Sequence, residues 1–301
     1  MKIKIIKMIL LLGTSVISLT AAIISELKSF PVVPMLGSLF AGISIPYLIP
    51  SVIDLTDNEN WKSSYRKLKR AKILQKDTFV RISFAYLFRI KVDGKYFLVK
   101  NTRTGKYQPV GGAYKFMNEE AEYLSENIPV ENDDRIPVDK ITKQDYRLLV
   151  KSKYLKKFVR RFDKTKNREN IQNLSREFIE EIFSTGILNK NKFGILSYKY
   201  CGRHMTNVEN SNIFKHFELL LADIVEVCLS EEQKELFRNL VQIGSEKYYF
   251  ATADEIKSLG VSIETKNFKD NIANHTFKIL SENTDKLIMK NKHKNIVKIQ
   301  L

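Results

Sequence analysis

Cysteine is nearly absent: Cys201 and Cys228 are the two in 301 residues, with neither a metal-ligand spacing nor a pairing pattern. That excludes a disulfide framework and a cysteine-based zinc site, and makes a reduced, intracellular setting the simplest expectation. Histidine is as scarce. His204, His216, His275 and His293 have no mutual spacing that suggests a metal centre, so each reads as structural, His275 as a packing residue. There is no glycine-rich loop of the P-loop or Rossmann kind and no nucleophile elbow, which removes the common nucleotide-fold and hydrolase signatures. No internal repeat is present. Acid is short relative to base: 34 Asp and Glu stand against 50 Lys and Arg, a net charge of +16. A basic surface expects anionic partners, whether nucleic acid, nucleotides or the anionic leaflet of a membrane.

What is present is unevenly spread. The chain has room for a membrane segment and one sizeable soluble domain. Met8 to Ser25 is a run of 18 residues without a charge, and Ser29 to Ile53 a run of 25. A spanning helix needs about 20 apolar residues, so residues 1–55 are expected to form a hairpin of two spans, about 8–25 and 30–53. Glu26-Leu27-Lys28 is the turn between them. Lys2, Lys4 and Lys7 precede the first span, and Lys62, Arg66, Lys67, Lys69, Arg70 and Lys72 follow the second. The positive-inside rule then puts both termini in the cytoplasm, with the hairpin in a bacterial inner membrane.

The second span carries Pro31, Pro34, Pro46 and Pro50 with Gly37, Ser38, Gly42 and Ser44. Small residues permit close helix contacts and kinks are tolerated in lipid. An oligomerising or pore-forming hairpin and a passive anchor are both compatible with that composition. A cleaved signal peptide ending near Thr20-Ala21-Ala22 is the rival for the first run. The second run and the basic flank after Asp57 argue against it.

Residues 56–76 read as a basic linker helix. Phe79 to Ile90 is rich in β-branched and aromatic residues, Asp93-Gly94 follows, and Tyr96 to Lys100 returns, which is a hairpin signal. Arg103-Thr104-Gly105-Lys106 makes a second turn into Tyr107-Gln108-Pro109-Val110-Gly111-Gly112. Residues 118–145 read as loop and short helix. Lys143 to Phe162 reads as a strongly basic amphipathic helix, with Leu148, Leu149, Leu155, Phe158, Val159 and Phe162 as its stripe. Helices are also expected at 171–184, 231–240, 253–259 and 267–281, and strands at 193–200, 214–227 and 248–251. This mixture without a βαβ repeat predicts an α+β sandwich. The tail at 286–301 is basic and expected to be loose.

Chemistry concentrates in Arg176-Glu177-Phe178-Ile179-Glu180-Glu181. On a helix Glu177 and Glu181 are one turn apart, with Glu180 beside them. Carboxylates so grouped repel unless a cation neutralises them, and Mg²⁺ suits such oxygen ligands. The ions could bridge a pyrophosphate and activate water. A solvated acidic helix face is the plain alternative.

With Gly111-Gly112 upstream, the pattern resembles the NUDIX superfamily, whose box runs from a glycine through a glutamate to an Arg-Glu-apolar-x-Glu-Glu helix. The box is split here: Arg176 lies 64 residues after Gly112, Asn118 stands where the early glutamate is expected, and Phe183 where a glycine is. Glu119 or Glu120 could replace that glutamate. The split box, its basic insertion near 113–170 and the membrane hairpin resemble the transmembrane NUDIX-like effectors of bacterial cyclic-oligonucleotide antiphage signalling (CBASS; SMODS-associated NUDIX domain). Tyr86 to Ile90, Tyr96 to Lys100, Tyr107 to Gly112, Asp145 to Leu148 and Asn274 to Phe277 carry that likeness.

The resemblance implies a NUDIX-like mixed-sheet sandwich over 77–285 with helices on its faces. It implies a receptor for a cyclic di- or oligonucleotide made by a partner nucleotidyltransferase, and a homo-oligomer that disrupts the inner membrane and causes growth arrest or cell death. Sensing itself requires no cofactor, and duplex nucleic acid is not expected as a partner. Arg89, Gly111, Gly112, Arg147, Lys151 and Arg176 are the expected ligand-binding residues. The basic helix at 147–161 could meet phosphates or lie on the anionic leaflet. The competing expectation is a membrane-anchored, Mg²⁺-dependent nucleoside-diphosphate hydrolase with Glu177, Glu180 and Glu181 as catalytic and metal-binding residues.

Overall fold

The computed structural model describes residues 2–27, 60–133, 143–211, 215–261, 270–281, 287–288 and 295–301, together with 42, 46 and 47. The chain divides into two compact units, 1–67 and 68–301. The first holds helix α1 (Lys2–Leu27), whose Ile9, Leu10, Val16, Ile17, Ile23 and Ile24 are exposed. Its side chains are described only in part, and among the described residues no helix is long and apolar enough to cross a membrane. The expected second span lies outside the described residues. Helix α2 (Trp61–Arg70) lies within the stretch 56–76 read as a linker helix and is capped by Asn60, whose Oδ1 accepts from the Lys62 and Ser63 amides at 3.0 and 3.1 Å.

The second unit is organised by one strand, β1 (Phe79–Arg89). Val80, Ile82, Phe84, Tyr86 and Phe88 on one face are all fully buried, and Leu87 on the other is buried too. Burial on both faces marks a central strand. After it come β2 (Lys91–Val92), β3 (Lys95–Lys100), β4 (Tyr107–Gln108) and β5 (Gly111–Ala113), then α3 (Asn118–Asn127), β6 (Val130–Asn132), β7 (Arg147–Lys151) and α4 (Leu155–Lys164). The rest of the unit comprises α5 (Arg176–Phe178), α6 (Lys190–Phe193), β8 (Ile195–Met205), β9 (Glu209–Asn210), β10 (Phe217–Val227), α7 (Glu231–Ile243), β11 (Tyr248–Ala251), α8 (Ala253–Lys257) and β12 (Val297–Gln300).

The large sheet runs β12-β8-β10-β1-β7-β6, with β5 on β1 and β9 on β10; the small one runs β11-β3-β2, with β4 on β3. β1 pairs parallel with β10 and antiparallel with β5 and β7, so the sheet is mixed. The two sheets meet over Leu87, Tyr96, Leu98, Ile224, Ile256 and Ile272. On the other face of β1, Phe84 packs on Phe158 and Phe162 of α4, and Phe88 on Phe178 of α5. Each such ring removed from water contributes about 1.5–3 kcal/mol. The α+β sandwich is thus present, with helices against the large sheet.

Three expectations need correction. Lys143 to Phe162 is not one helix. Arg147–Lys151 is strand β7, a 3₁₀ turn follows at Ser152–Tyr154, and only Leu155–Lys164 is α-helical. Leu148, Leu149 and Val150 lie between β1 and β6 and are buried on both faces. That burial removes the alternation that marks a half-exposed strand. The insertion is therefore mixed rather than helical. The helix expected near 267–281 is a 3₁₀ segment, Asn274–Ile279, and 267–269 lie outside the described residues. The tail also ends in order, since β12 pairs antiparallel with β8.

The insertion leaves and returns beside one residue. Tyr114 donates its amide to Phe84 O at 3.0 Å, Phe84 donates to Tyr146 O at 3.0 Å, and Tyr146 donates to Tyr114 O at 2.8 Å. Along β1, β7 thus hands over to β5 at Phe84. The first part of the insertion closes at this point, bringing Asp145 and Arg147 beside β5.

Candidate functional site

The glycine pair is placed by β1: Tyr86 registers with Gly112 and Leu87 with Gly111. At Gly111, φ is +147° and a Cβ would stand 2.2 Å from Tyr86 O, so no side chain fits. At Gly112 a Cβ would lie 1.9 Å from Glu177 Oε1. The second glycine therefore makes room for the acidic helix itself. Phe178 and Ile182 anchor that helix in the core. After α5 it widens into a π-helix, Ile179–Phe183, closed by the Ser184 amide on Ile179 O at 2.9 Å. This replaces the regular α spacing assumed for Glu177 and Glu181; such widened turns recur at functional sites.

Arg176 is the centre of the cluster. Its Nε and Nη2 donate to Glu169 Oε1 and Oε2 at 2.8 and 3.1 Å. Nη1 reaches Glu177 Oε1 at 2.6 Å and Glu180 Oε2 at 3.4 Å, and Nη2 also donates to Ala113 O at 2.9 Å. Burial works against its charge, yet the hydrogen bond to Glu169 and the charge of Glu177 raise its pKa further. Glu181 turns the other way and accepts from Gly111 N at 2.8 Å. Burial, reinforced by the charge of Glu177, pushes the Glu181 carboxyl up to about 8 in spite of that bond. Burial also raises Glu177, against the pull of Arg176. The two halves of the box, 64 residues apart in sequence, are in direct contact here.

They form one wall of a cavity of ≈ 890 Å³. Gly111, Gly112, Arg147, Arg176, Glu177, Glu180 and Glu181 all line it, together with the turn after β3, Asp145 and Lys247. Asp145 accepts from Lys115 at 2.7 Å and from Arg147 Nη1 at 3.2 Å, and burial raises its pKa against both cations.

Two expected ligand contacts lie elsewhere. Arg89 is buried in the core, donating to the backbone oxygens of Ile279 and Leu280 and pairing with Glu226 at 3.5 Å. It closes the 3₁₀ segment onto β1. Lys151 sits at the far end of β7, 4.0 Å from Asp77 and over the ring of Phe79. The basic helix α4 contributes nothing to the cavity lining. Glu119 is exposed at the start of α3. Glu120 is fully buried and accepts from Arg161 and Thr165, so it joins α3 to α4 and does not reach the cavity.

As they stand, the box carboxylates face a guanidinium and a backbone N–H rather than a common open point. Among the described residues, no group of three or more His, Cys, Asp or Glu is arranged to hold a metal ion. As arranged, these carboxylates are not grouped around a common point.

Sequence reasoning missed Glu169, which binds Arg176 and the Lys115 amide at 2.9 Å. It also missed Asp145 as a cavity residue. Glu169 carries no local signal, for it lies seven residues before the motif on an irregular connection. Asp145 had one: a lone acid among the cations at Lys143, Arg147 and Lys151.

The family model of the SMODS-associated NUDIX domain matches residues 79–280. The match begins at β1 and ends just beyond the 3₁₀ segment, so it covers both halves of the box and the insertion between them. No curated protein matches the chain.

Proposed function

The chain belongs to the SMODS-associated NUDIX family, and from that premise we propose that it is a membrane-bound antiphage effector. Its cavity takes a cyclic oligonucleotide, and its N-terminal segment answers by disrupting the bacterial inner membrane. The observation that carries the ligand half is the state of the cations on the cavity. Arg176 is committed to Glu169, Glu177, Glu180 and Ala113 O. Arg147 spends only Nη1, on Asp145. Its Nε and Nη2 have no partner among the described residues, and they form the edge that binds a phosphate in bidentate fashion.

The membrane half rests on the uncharged runs Met8–Ser25 and Ser29–Ile53 and on the apolar side chains that α1 exposes, Leu10 at 64% and Ile17 at 70% among them. A helix apolar on its solvent-facing sides suits lipid. The cationic stretch at 62–72 then keeps both termini and the domain on the cytoplasmic side. In this reading ligand binding promotes association of several copies, and their hairpins rearrange together.

The experiment uses the full chain in dye-loaded liposomes, titrated with cyclic di- and trinucleotides. Binding with dye release is expected for at least one of them. Arg147→Ala should weaken both by about tenfold to a hundredfold, the value of a charged bidentate contact. Absence of binding and release across the panel overturns the proposal. So does Mg²⁺-dependent turnover of nucleoside diphosphates that Glu180→Gln abolishes, which would establish the hydrolase instead.

A further inference from the structure

Arg147 does not face the cavity alone. The carboxylate bound to its Nη1 belongs to Asp145, two residues earlier on the same strand approach, and Asp145 also lines the cavity. Its two oxygens are divided: Oδ1 takes Lys115 Nζ at 2.7 Å and Oδ2 takes Arg147 at 3.2 Å. The carboxyl is 8% exposed, so its charge is held by these two cations and little by water. Lys115 is fixed independently: its Nζ also donates to Lys143 O at 2.6 Å and its amide to Glu169 Oε2 at 2.9 Å. The Arg147 contact is thus the longer of the two, the cavity-facing one, and the one whose loss leaves Asp145 still paired.

We infer that Asp145 is the resident counter-anion of the phosphate anchor: a ligand phosphate that docks on the Nε–Nη2 edge of Arg147 draws the guanidinium off Asp145, and Asp145 passes wholly to Lys115. This deepens the cavity reading and rests on it. The physical sense is exchange of one anion for another at a single guanidinium. With no ligand, Arg147 is not left as an unmatched charge in a part-buried site. With ligand, the phosphate must outcompete a carboxylate, which sets an affinity threshold and rejects weak monoanions. The exchange also lies at the stem of the insertion, where Lys115 and Asp145 bridge. Ligand occupancy therefore reaches the closing pair of that segment without touching it.

The test measures affinity of the full chain in detergent micelles for two probes, 3′,3′-cyclic di-AMP and inorganic pyrophosphate. Four forms are compared: wild type, Asp145→Asn, Arg147→Ala and the double variant. Neutralising Asp145 removes the competitor for Arg147, so Asp145→Asn is expected to bind roughly three- to thirtyfold tighter. Asp145→Ser repeats the neutralisation with less bulk if the asparagine form folds poorly. Arg147→Ala should lose most of the affinity, and the double variant should match it within about twofold, because competition needs the arginine to compete for.

Equal gains from Asp145→Asn with and without Arg147 would mean simple charge repulsion, and the displacement idea falls. It falls too if Asp145→Asn binds as wild type or weaker while Arg147→Ala loses binding; the cavity reading then survives alone. If neither variant shifts either probe, the cavity reading itself is overturned.

Discussion

Two arginine clusters stand a short way apart in the sequence, and the one around Arg176 lines the cavity. In the core, Arg203 pairs with Asp223 through Nε–Oδ1 at 2.7 Å and Nη2–Oδ2 at 2.8 Å. Tyr200 and Tyr114 each donate to one of the same two oxygens, at 3.0 and 2.8 Å. Arg203 Nη1 finishes on Asp163 at 2.8 Å. Each of these donors ends on a carboxylate oxygen. Around Arg176 one guanidinium serves Glu169, Glu177 and Glu180, with Glu181 turned away beside them. Three carboxylates crowd that one guanidinium, and burial, reinforced at Glu181 by the charge of Glu177, raises Glu177 and Glu181 above their ordinary range. A matched network fixes a fold; a mismatched one leaves charge and protonation available to a ligand.

Breaking the matched cluster should give the largest effect. Asp223→Ala strips a buried arginine of its main partner and removes the acceptor of the Tyr114 and Tyr200 hydroxyls, which is expected to cost about 3–5 kcal/mol. Glu180→Gln removes a half-exposed member of the mismatched cluster and should change stability by less than about 0.5 kcal/mol. Urea unfolding of the full chain in mild detergent, followed by near-UV circular dichroism, checks both. Similar losses from the two would end the contrast.

The glycines sharpen it from the other side. A methyl at Gly111 meets the backbone oxygen of Tyr86 and a φ of +147°. Neither can yield, so Gly111→Ala is expected to cost about 2–4 kcal/mol. A methyl at Gly112 meets first the carboxylate end of Glu177. That end can swing, so Gly112→Ala should keep most of the stability and show its effect at Arg176 and in ligand affinity. The same unfolding assay, with titration of the cyclic dinucleotide, separates the two outcomes.

How much of this could be read beforehand depended on how local the cause was. The run at 79–90, its Asp93-Gly94 turn and the return at 96–100 were legible because β-branched and aromatic residues and turn chemistry act over a few positions. The glycine pair and the acidic helix were legible as halves of one site because their resemblance to a box outlasts a 64-residue interruption. β7 was not, because burial on both faces erased its alternation and left it merged with α4. The tail held a period-two signal, Val297-Lys298-Ile299-Gln300, that was outweighed by its basic composition. Arg89 was misassigned for a deeper reason. What it serves are the carbonyls of Ile279 and Leu280, 190 and 191 residues away. Nothing near Arg89 in the chain distinguishes a cation meant for phosphate from one meant for a helix end.

The finest difference between the clusters is in protonation, and it can be followed by pH. Glu181 has an ordinary value of 4.5 and is pushed up to about 8 in the folded chain. Between those values the folded state holds a proton that the unfolded state has lost. Stability on account of this group is therefore greatest below about pH 4.5, falls as pH rises toward about 8, and levels off beyond. Glutamine cannot ionise but keeps an oxygen to accept from Gly111 N. Glu181→Gln should therefore flatten that part of the decline. The gain is expected to be about 1–3 kcal/mol at pH 8 relative to pH 5, reduced by the solvent contact the carboxyl retains. Melting curves of both forms across pH 4.5 to 9 test it. Parallel curves would mean that the hydrogen bonds Glu181 accepts, from Gly111 N and from Gln108, keep it ionised in the folded chain in spite of its burial.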